Sequence, residues 1–439
     1  MKALVIGFGI TSQAVVMALL ERGHDVIVVD DRPGEAAQDA AIDLGLDLVV
    51  APTPEQLGDL VAAVDVVLPS PGVPDHHPVF ALAERHGRGI RSEFDLASEW
   101  DDRPLVAITG TNGKTTVTTL VADMLDSSGR RAVAVGNTGI PLVAAIADPL
   151  VDVFVVEASS FRLAHSRHFA PRVAAWLNFA PDHLDAHATL VDYEAAKARI
   201  WSDQGPDDIA VVNLEDPVVA AYETRARRVT YGLSSGDYTM GVNGELLTPG
   251  GDVIVRSADL WRALPHDLSN ALAASAIAVS SGATLQGVHD ALVRFRGLPH
   301  RVELVTELGG VRWYDDSKAT TPSAASSAIG GFDSIVLIAG GRNKGLDLDE
   351  MASGASRVKA VVAIGESADV VSHLFEGRVG QIVQADSMQA AVRSSADIAL
   401  PGDVVLLSPG CASFDWYGSY PERGRDFAQR VLELEDLSS

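Results

Sequence analysis

The run Gly110-Thr111-Asn112-Gly113-Lys114-Thr115-Thr116 has the residue types and spacing to hold a nucleoside triphosphate. Backbone N–H groups of such a loop cradle phosphates, Lys114 reaches the β/γ oxygens, and the Thr115 hydroxyl can ligate Mg²⁺. The first glycine of the usual pattern is missing, because Ile108 stands in its place. The context compensates. An apolar run at 105–108 precedes the loop, and Val117, Leu120, Val121, Met124 and Leu125 follow it at helical spacing, so the stretch reads as strand, loop, helix.

Three further groups could complete a metal-dependent phosphoryl-transfer site. Glu157 ends the apolar run 153–156, where a carboxylate can hold Mg²⁺ opposite the loop threonine. Taken alone, a strand-end Glu is more often solvated or a helix cap. His183 lies in Asn178-Phe179-Ala180-Pro181-Asp182-His183-Leu184-Asp185, after the strand-like run 173–177. It could ligate a second metal, with Asp182 orienting its other ring nitrogen, although a single His is commonly just a polar loop residue. Lys197 sits in a good helix former, 193–201, where its spacing from Glu194 suits an ordinary i,i+3 surface pair.

A second glycine motif opens the chain. Gly7-Phe8-Gly9-Ile10-Thr11-Ser12 follows a strand-like run, and Asp30 and Asp31 end the next one. Glycines there permit a tight turn and let backbone N–H groups meet a diphosphate at a helix N-terminus. Ser12 replaces the third glycine of the NAD fingerprint. The same geometry serves a UDP-type ligand or a purely structural fold, and NAD chemistry remains the reading from a different enzyme class. Ser70-Pro71-Gly72, after the run 64–68, is an ordinary turn or part of the same ligand crevice.

These groups need elements to place them. Apolar runs of four or five residues at 3–6, 26–29, 64–68, 105–108, 153–156, 335–338 and 404–407 alternate with amphipathic stretches. That alternation predicts an α/β fold with buried parallel strands. The 439 residues suffice for about three domains, and the expected boundaries are 1–92, 93–297 and 298–439. Residues 237–255 read as a small hairpin insertion. No apolar run reaches the length of about 18 residues that a membrane span needs, and the N-terminus has no signal-peptide pattern. The net charge of −25 gives no general attraction for nucleic acid or anionic lipid. The one cysteine, Cys411, excludes an intrachain disulfide and reads as a small buried apolar residue in a cytoplasmic protein.

Together the motifs resemble the Mur ligases of peptidoglycan synthesis, most of all their D-glutamate-adding type. The resemblance spans the chain. Besides the phosphate loop, it rests on Gly136-Asn137-Thr138-Gly139, Glu157-Ala158-Ser159-Ser160-Phe161, Asp182-His183-Leu184-Asp185, Ala196-Lys197-Ala198-Arg199, Gly297-Leu298-Pro299-His300-Arg301, Asp316-Ser317-Lys318-Ala319-Thr320, and Leu407-Ser408-Pro409 with Cys411-Ala412-Ser413. It implies a Rossmann-like UDP-binding domain, a P-loop ATPase-type central domain and a Rossmann-like C-terminal domain. It also implies ATP-dependent joining of D-glutamate to UDP-N-acetylmuramoyl-L-alanine through an acyl phosphate, by a monomer. Two Mg²⁺ sites are implied, with Thr115, Glu157, His183 and a carbamylated Lys197 as ligands. Asn270, Arg301 and Asp316 match nucleotide-holding positions. Ile10, Thr11, Asp30, Asp31, Arg32 and Gly72 match the UDP site, and Asn137 and Ser159 match muropeptide contacts. Lys318, Thr320, Lys344, Ser413 and Tyr420 match the region that receives glutamate.

The chain departs from that pattern at several points. Asp267 in His266-Asp267-Leu268-Ser269-Asn270 stands where Asn is usual, which puts one adenine contact in question. Arg162 replaces the Gln that usually follows Ser-Ser-Phe, Gly410 replaces an Ala, and Tyr420 stands where Phe is frequent. The L-alanine-adding type tends to carry His at the place of Asn112, and the diaminopimelate-adding type tends to carry an Asp-Asn-Pro-Arg motif that this sequence lacks. An L-glutamate-adding variant and a non-enzymatic P-loop switch are the other readings left open by the residues.

Overall fold

The computed structural model describes residues 1–137, 139–183 and 187–438. The first sheet contains β1 (Lys2–Ile6), β2 (Asp25–Asp30), β3 (Leu48–Val50), β4 (Val66–Pro69) and β5 (Gly89–Ile90), in the order β3-β2-β1-β4-β5. All its pairings are parallel. The order reverses between β1 and β4, which opens a crevice at their C-terminal ends.

The second sheet contains β6 (Leu105–Thr109), β7 (Ala132–Gly136), β8 (Val153–Glu157), β9 (Val173–Trp176), β10 (Ile209–Asn213) and β11 (Arg227–Tyr231), in the order β11-β10-β9-β6-β8-β7. It too is wholly parallel. Every residue of β6 is buried, as a near-continuous apolar strand requires when both faces are covered. β6 lies between β8 and β9, so the loop that leaves it emerges beside the ends of both. The insertion at 237–255 forms a small antiparallel sheet of β12 (Thr239–Met240), β13 (Glu245–Leu247) and β14 (Val253–Arg256).

These sheets belong to one compact unit that includes Met1–Phe179, most of the chain to Leu260, and Leu268–Phe295. The physical reason is a shared apolar core. Val15 and Leu19 of the helix Ile10–Glu21 join Phe94 and Leu96 of the helix Glu93–Trp100, and both pack with Leu142, Phe154, Leu163 and Phe169. Phe94 and Phe169 stack with ring centroids 4.7 Å apart.

The second unit holds Arg296 onward, Trp261–Asp267 and the short segment from Ala180. Its sheet contains β15 (Glu303–Leu308), β16 (Val311–Asp315), β17 (Ile335–Gly340), β18 (Val358–Ile364), β19 (Gln381–Ala385) and β20 (Val404–Leu407), in the order β15-β16-β20-β17-β18-β19. β15 and β16 form an antiparallel hairpin at one edge, and the other pairings are parallel. Side chains alternate between two cores: Ile335, Leu337 and Ala339 face one, Val336 and Ile338 the other.

Candidate active site

The loop after β6 is pinned by Asn178, two residues beyond the end of β9. Thr111 N donates to Asn178 O at 3.1 Å, Asn112 N donates to Asn178 Oδ1 at 2.8 Å, and Asn178 Nδ2 donates back to Asn112 O at 3.1 Å. Gly113 then turns the chain into the helix Lys114–Ser127 with φ of 83°. Only glycine adopts that conformation without strain, and a Cβ there would sit 2.6 Å from Asn270 Oδ1. Asn270 is thus brought against the phosphate loop. Lys114 Nζ donates to the carbonyl oxygens of Gly110 and Thr111 at 2.7 and 2.9 Å.

Lys197 corrects the surface-pair expectation. In the helix Leu190–Ala198 it shares an inward face with Tyr193 and Ala196 and is only 1% exposed. Its Nζ donates to Gly110 O at 2.8 Å and lies 4.6 Å from the centre of the Tyr193 ring. The Tyr193 hydroxyl is in turn 3.3 Å from Thr111 Oγ1. Helical periodicity that reads as solvent-facing from the Glu194 spacing is overridden by the apolar residues on the other side of the turn.

Glu157, at the end of β8, is 2% exposed. Its Oε1 accepts from Asn137 Nδ2 at 2.9 Å, while its Oε2 has no hydrogen-bond partner among the described residues. A buried carboxylate oxygen left in that state is costly, and a hard cation relieves it. Oxygen donors from Glu157 and Thr115 are the set Mg²⁺ takes, so these residues fit the ion. Ser159 is buried at the N-terminus of the short helix Ser160–Ala164. Thr138, Leu184 and Asp185, which belong to the recognised motifs, lie outside the described residues. Asp182 and His183 fall in the second unit. His183 takes a left-handed backbone, φ 56°, and its Nε2 is 3.2 Å from Asp182 Oδ2, the ring–carboxylate pairing expected of them. Lys344 Nζ lies 3.5 Å from Asp182 Oδ1.

At the first sheet, the candidate UDP residues gather at the crevice. Asp30 Oδ2 accepts from Phe8 N at 2.7 Å and Oδ1 from Arg32 N at 2.9 Å, so this carboxylate braces the glycine loop. Gly7, with φ of 78°, brings that loop against β4: a Cβ there would lie 3.0 Å from Ser70 Cβ. Asp31 Oδ2 is 3.1 Å from His77 Nε2, and Ile10 is exposed. Thr11 Oγ1 accepts from Arg162 Nη2 at 2.9 Å. Gly72, in the turn after β4, has no side chain and nothing near its would-be Cβ.

In the second unit, a buried arginine, Arg423, braces Ser317 and Cys411, which are neighbours in sequence of the glutamate-region residues Lys318 and Ser413. Arg423 Nε donates to Ser317 Oγ at 2.9 Å, and its Nη atoms donate to the carbonyls of Ser317 and Cys411. Burial pushes its guanidinium down to about 10. Ser317 Oγ donates to Tyr420 O at 2.8 Å, and Lys318 Nζ stands 4.0 Å from the Tyr420 ring centre. Thr320 N donates to Lys318 O, and Ser413 is buried beside Cys411. Burial raises the Cys411 thiol to about 11, in keeping with an inert apolar role. Asp316 is buried, with Oδ2 accepting from Ser408 Oγ at 2.7 Å and Oδ1 from Val302 N at 3.2 Å. Desolvation still lifts its carboxyl to about 7. Its neighbour Asp315 holds His300 Nδ1 at 2.6 Å, and that bond raises the imidazole above its ordinary value. Asp267, the departure beside His266, is engaged by Arg262 Nε and Nη2 at 2.6 and 2.8 Å. It acts here as an anchor for the segment Trp261–Asp267.

Family models match the chain in three places: "Mur ligase MurD-like, N-terminal domain" at residues 1–92, "Mur ligase middle domain" at 108–278, and "Mur ligase, glutamate ligase domain" at 300–411. A UDP-N-acetylmuramoylalanine--D-glutamate ligase of Pelotomaculum thermopropionicum is 38% identical over 99% of this chain and 98% of its own length. One of Frankia casuarinae is 40% identical over 98% and 94%. The chain belongs to the Mur ligase family, in its MurD-like branch. Among solved structures, a pseudomurein peptide ligase type C from Methanothermus fervidus superposes with a TM-score of 0.62 at 18% identity, covering 98% of this chain and 99% of that one. The UDP-N-acetylmuramate-alanine ligase of Thermotoga maritima gives 0.59 at 20%, covering 99% of both. These likenesses extend the shared fold to relatives of low identity. Three supports of this Mur ligase escaped the sequence reading: Asn178 under the phosphate loop, Arg423 under the glutamate region, and Glu93 beneath Arg162. Each is a polar residue whose bracing contacts have no signature in spacing, and only the unusual Arg after Ser-Ser-Phe pointed toward the last.

Proposed function

We propose that this Mur ligase joins the amine of D-glutamate to the L-alanine carboxylate of UDP-N-acetylmuramoyl-L-alanine, with ATP cleaved to ADP and phosphate. What carries the reading is the near-full-length similarity to ligases of that name, together with a phosphate loop whose neighbours supply an unsatisfied carboxylate oxygen. The assignment divides the chain into 1–92 for the UDP moiety, 93–297 for ATP and 298–439 for glutamate.

ATP lies on the amides of Gly110–Thr116, with Asn270 against the loop; Arg301 and Asp316 are the nucleotide-holding positions that the family resemblance implies. Lys114 exchanges its carbonyl contacts for the β/γ-phosphate oxygens. The substrate carboxylate attacks the γ-phosphorus, the bond to the ADP oxygen breaks, and an acyl phosphate results. The glutamate amine, held near Lys318, Thr320, Lys344, Ser413 and Tyr420, then attacks the acyl carbon, loses a proton and expels phosphate. Mg²⁺, when bound through Thr115 and Glu157, neutralises charge that builds on the transferring phosphoryl group. We further infer that Lys197 reacts with CO₂ to form a carbamate, releasing a proton. Its buried ammonium shares one carbonyl oxygen with Lys114, and the carbamate exchanges that positive charge for a negative one with two oxygen donors. The carbamate and His183 are the ligands that the family resemblance implies for a second Mg²⁺. Asn137 and Ser159 position the muropeptide. The enzyme acts as a monomer, and its UDP-linked and ATP substrates place it in the cytoplasm. Among the described residues, no helix is long and apolar enough to cross a membrane.

The test is phosphate release coupled to product analysis with UDP-N-acetylmuramoyl-L-alanine, comparing D-glutamate, L-glutamate and other amino acids. D-glutamate should support both phosphate release and a new amide. A preference for L-glutamate, or nucleotide hydrolysis with no amide formed, overturns the assignment.

A further inference from the structure

We propose that Arg162 is a positioning residue for the nucleotide-sugar substrate. It acts through the Thr11 hydroxyl, and it can do so because Glu93 neutralises it. The proposal rests on reading the first sheet as the UDP-sugar site. Arg162 and Glu93 side chains are 8% and 4% exposed and form an ion pair through Nη1. Glu93 is held from the other side by Val143 N, which donates to its Oε1 at 3.2 Å. Burial raises the Glu93 carboxyl, and the Arg162 charge opposes that shift. Arg162 Nη2 then reaches Thr11 Oγ1 at 2.9 Å.

The chemistry of this bond has a direction. A guanidinium can only donate, so the Thr11 oxygen must accept, and its own proton is left to donate elsewhere. Thr11 is the second residue of the helix Ile10–Glu21, whose N-cap is Gly9 with no side-chain cap. The first-turn amides point toward the crevice, where a diphosphate is favoured. Arg162 therefore converts Thr11 from a free rotor into a fixed donor aligned with those amides. Thr11, Pro71, Glu93, Phe161 and Arg162 line one cavity with mainly apolar walls. There a single uncompensated charge is expensive, which explains why an Arg at this position comes with a buried Glu. The Phe94 ring, 5.6 Å from the guanidinium carbon, adds to the packing.

The experiment uses the full chain and measures calorimetric affinity for UDP-N-acetylmuramoyl-L-alanine beside KM and kcat. The variants are Thr11→Val, the charge-balanced pair Arg162→Met with Glu93→Gln, and all three changes together. Thr11→Val and the charge-balanced pair should each weaken binding of the nucleotide sugar about tenfold, the scale of one lost charge-assisted hydrogen bond. The kcat and the KM for ATP should stay within about twofold. The triple variant should bind no more weakly than Thr11→Val, because both changes remove one path. Arg162→Lys is the safeguard on folding. It keeps a positive charge for Glu93, but an ammonium lacks the fork that spans both partners, so it should lose affinity with the thermal midpoint retained. Additive losses, a charge-balanced variant that binds like the wild type, or a defect confined to kcat would overturn the proposal. A wild type that fails to bind the nucleotide sugar would overturn the underlying reading as well.

Discussion

Lys114 and Lys197 both donate to the carbonyl oxygen of Gly110, at 2.7 and 2.8 Å. Converging two ammonium groups on one dipole is unfavourable in a buried setting, and only Lys114 is needed for the phosphates. The carbamate proposed for Lys197 would replace one of these two positive charges with a negative one. Lys197→Ala should therefore lower amide formation by a factor on the order of a hundred or more, the range seen when a group acting on transition-state charge is removed. The fold should survive, and millimolar acetate or formate should restore part of the rate. Near-normal turnover in the variant would refute the carbamate. Asp316 makes a second test at this scale. Its carboxyl is raised to about 7 in the fold, chiefly by burial. Between an ordinary carboxylate pKa and that value, the unfolded chain has released a proton that the folded chain keeps, so this group's contribution falls as pH rises. The fall is complete above about pH 7 and amounts to about 2–4 kcal/mol. Asp316→Asn should lack that loss. Its thermal midpoint relative to the wild type should climb between about pH 4 and 7 and level off above that, and a constant difference would show that the carboxyl is not so perturbed.

Among the elements, the helix Glu93–Trp100 does the most to unite the first two sheets. Ser92 and Asp95 form a capping box: Ser92 Oγ accepts from Asp95 N at 3.2 Å, and Asp95 Oδ2 accepts from Ser92 N at 2.7 Å. Asp95 Oδ1 also accepts from the amides of Arg167 and His168, at 2.7 and 2.8 Å. One buried carboxylate thus satisfies three backbone donors in two segments. Asp95→Ala should cost about 2–4 kcal/mol, combining a lost cap with stranded buried amides. A denaturant midpoint within error of the wild type would show that water or another group takes over. This helix also marks where legibility ended. The strands around the phosphate loop could be read because four or five apolar residues closed by Gly, Ser or Asp have few other outcomes. The loop itself could be read because its glycines and lysine are tied to backbone geometry. The antiparallel β15–β16 edge and the merging of two sheets around Phe94 and Phe169 could not, since both depend on partners distant in sequence. Lys197, Arg162 and Arg423 share the same difficulty. A charged residue looks solvated in sequence, and only the folded chain reveals that Gly110, Glu93 or the Cys411 carbonyl is waiting for it.

For the molecule as a whole, the net charge of −25 bears on every ligand, because ATP, the nucleotide sugar and glutamate are all anions. On the proposed assignment, binding depends on a few cations set in a negative field, among them Lys114 and Lys318. The two influences differ in range. At an ionic strength of about 0.01 M the Debye length is roughly 30 Å, and the whole chain's charge reaches an approaching ligand; at about 0.15 M it is roughly 8 Å, and most of that repulsion is gone. Contacts inside the loop, made over hydrogen-bond distances to buried groups, are screened far less. Raising KCl over that interval at saturating free Mg²⁺ should therefore lower the KM for ATP by about two- to threefold. The nucleotide sugar, with two diphosphate charges and a carboxylate, should respond at least as much as the Mg²⁺-bound ATP, and glutamate, with one net negative charge, least. Steady-state kinetics at several KCl concentrations measures this. A KM that rises with salt would mean that the field at the entrance is positive despite the total, so that the local lysines govern approach as well as grip.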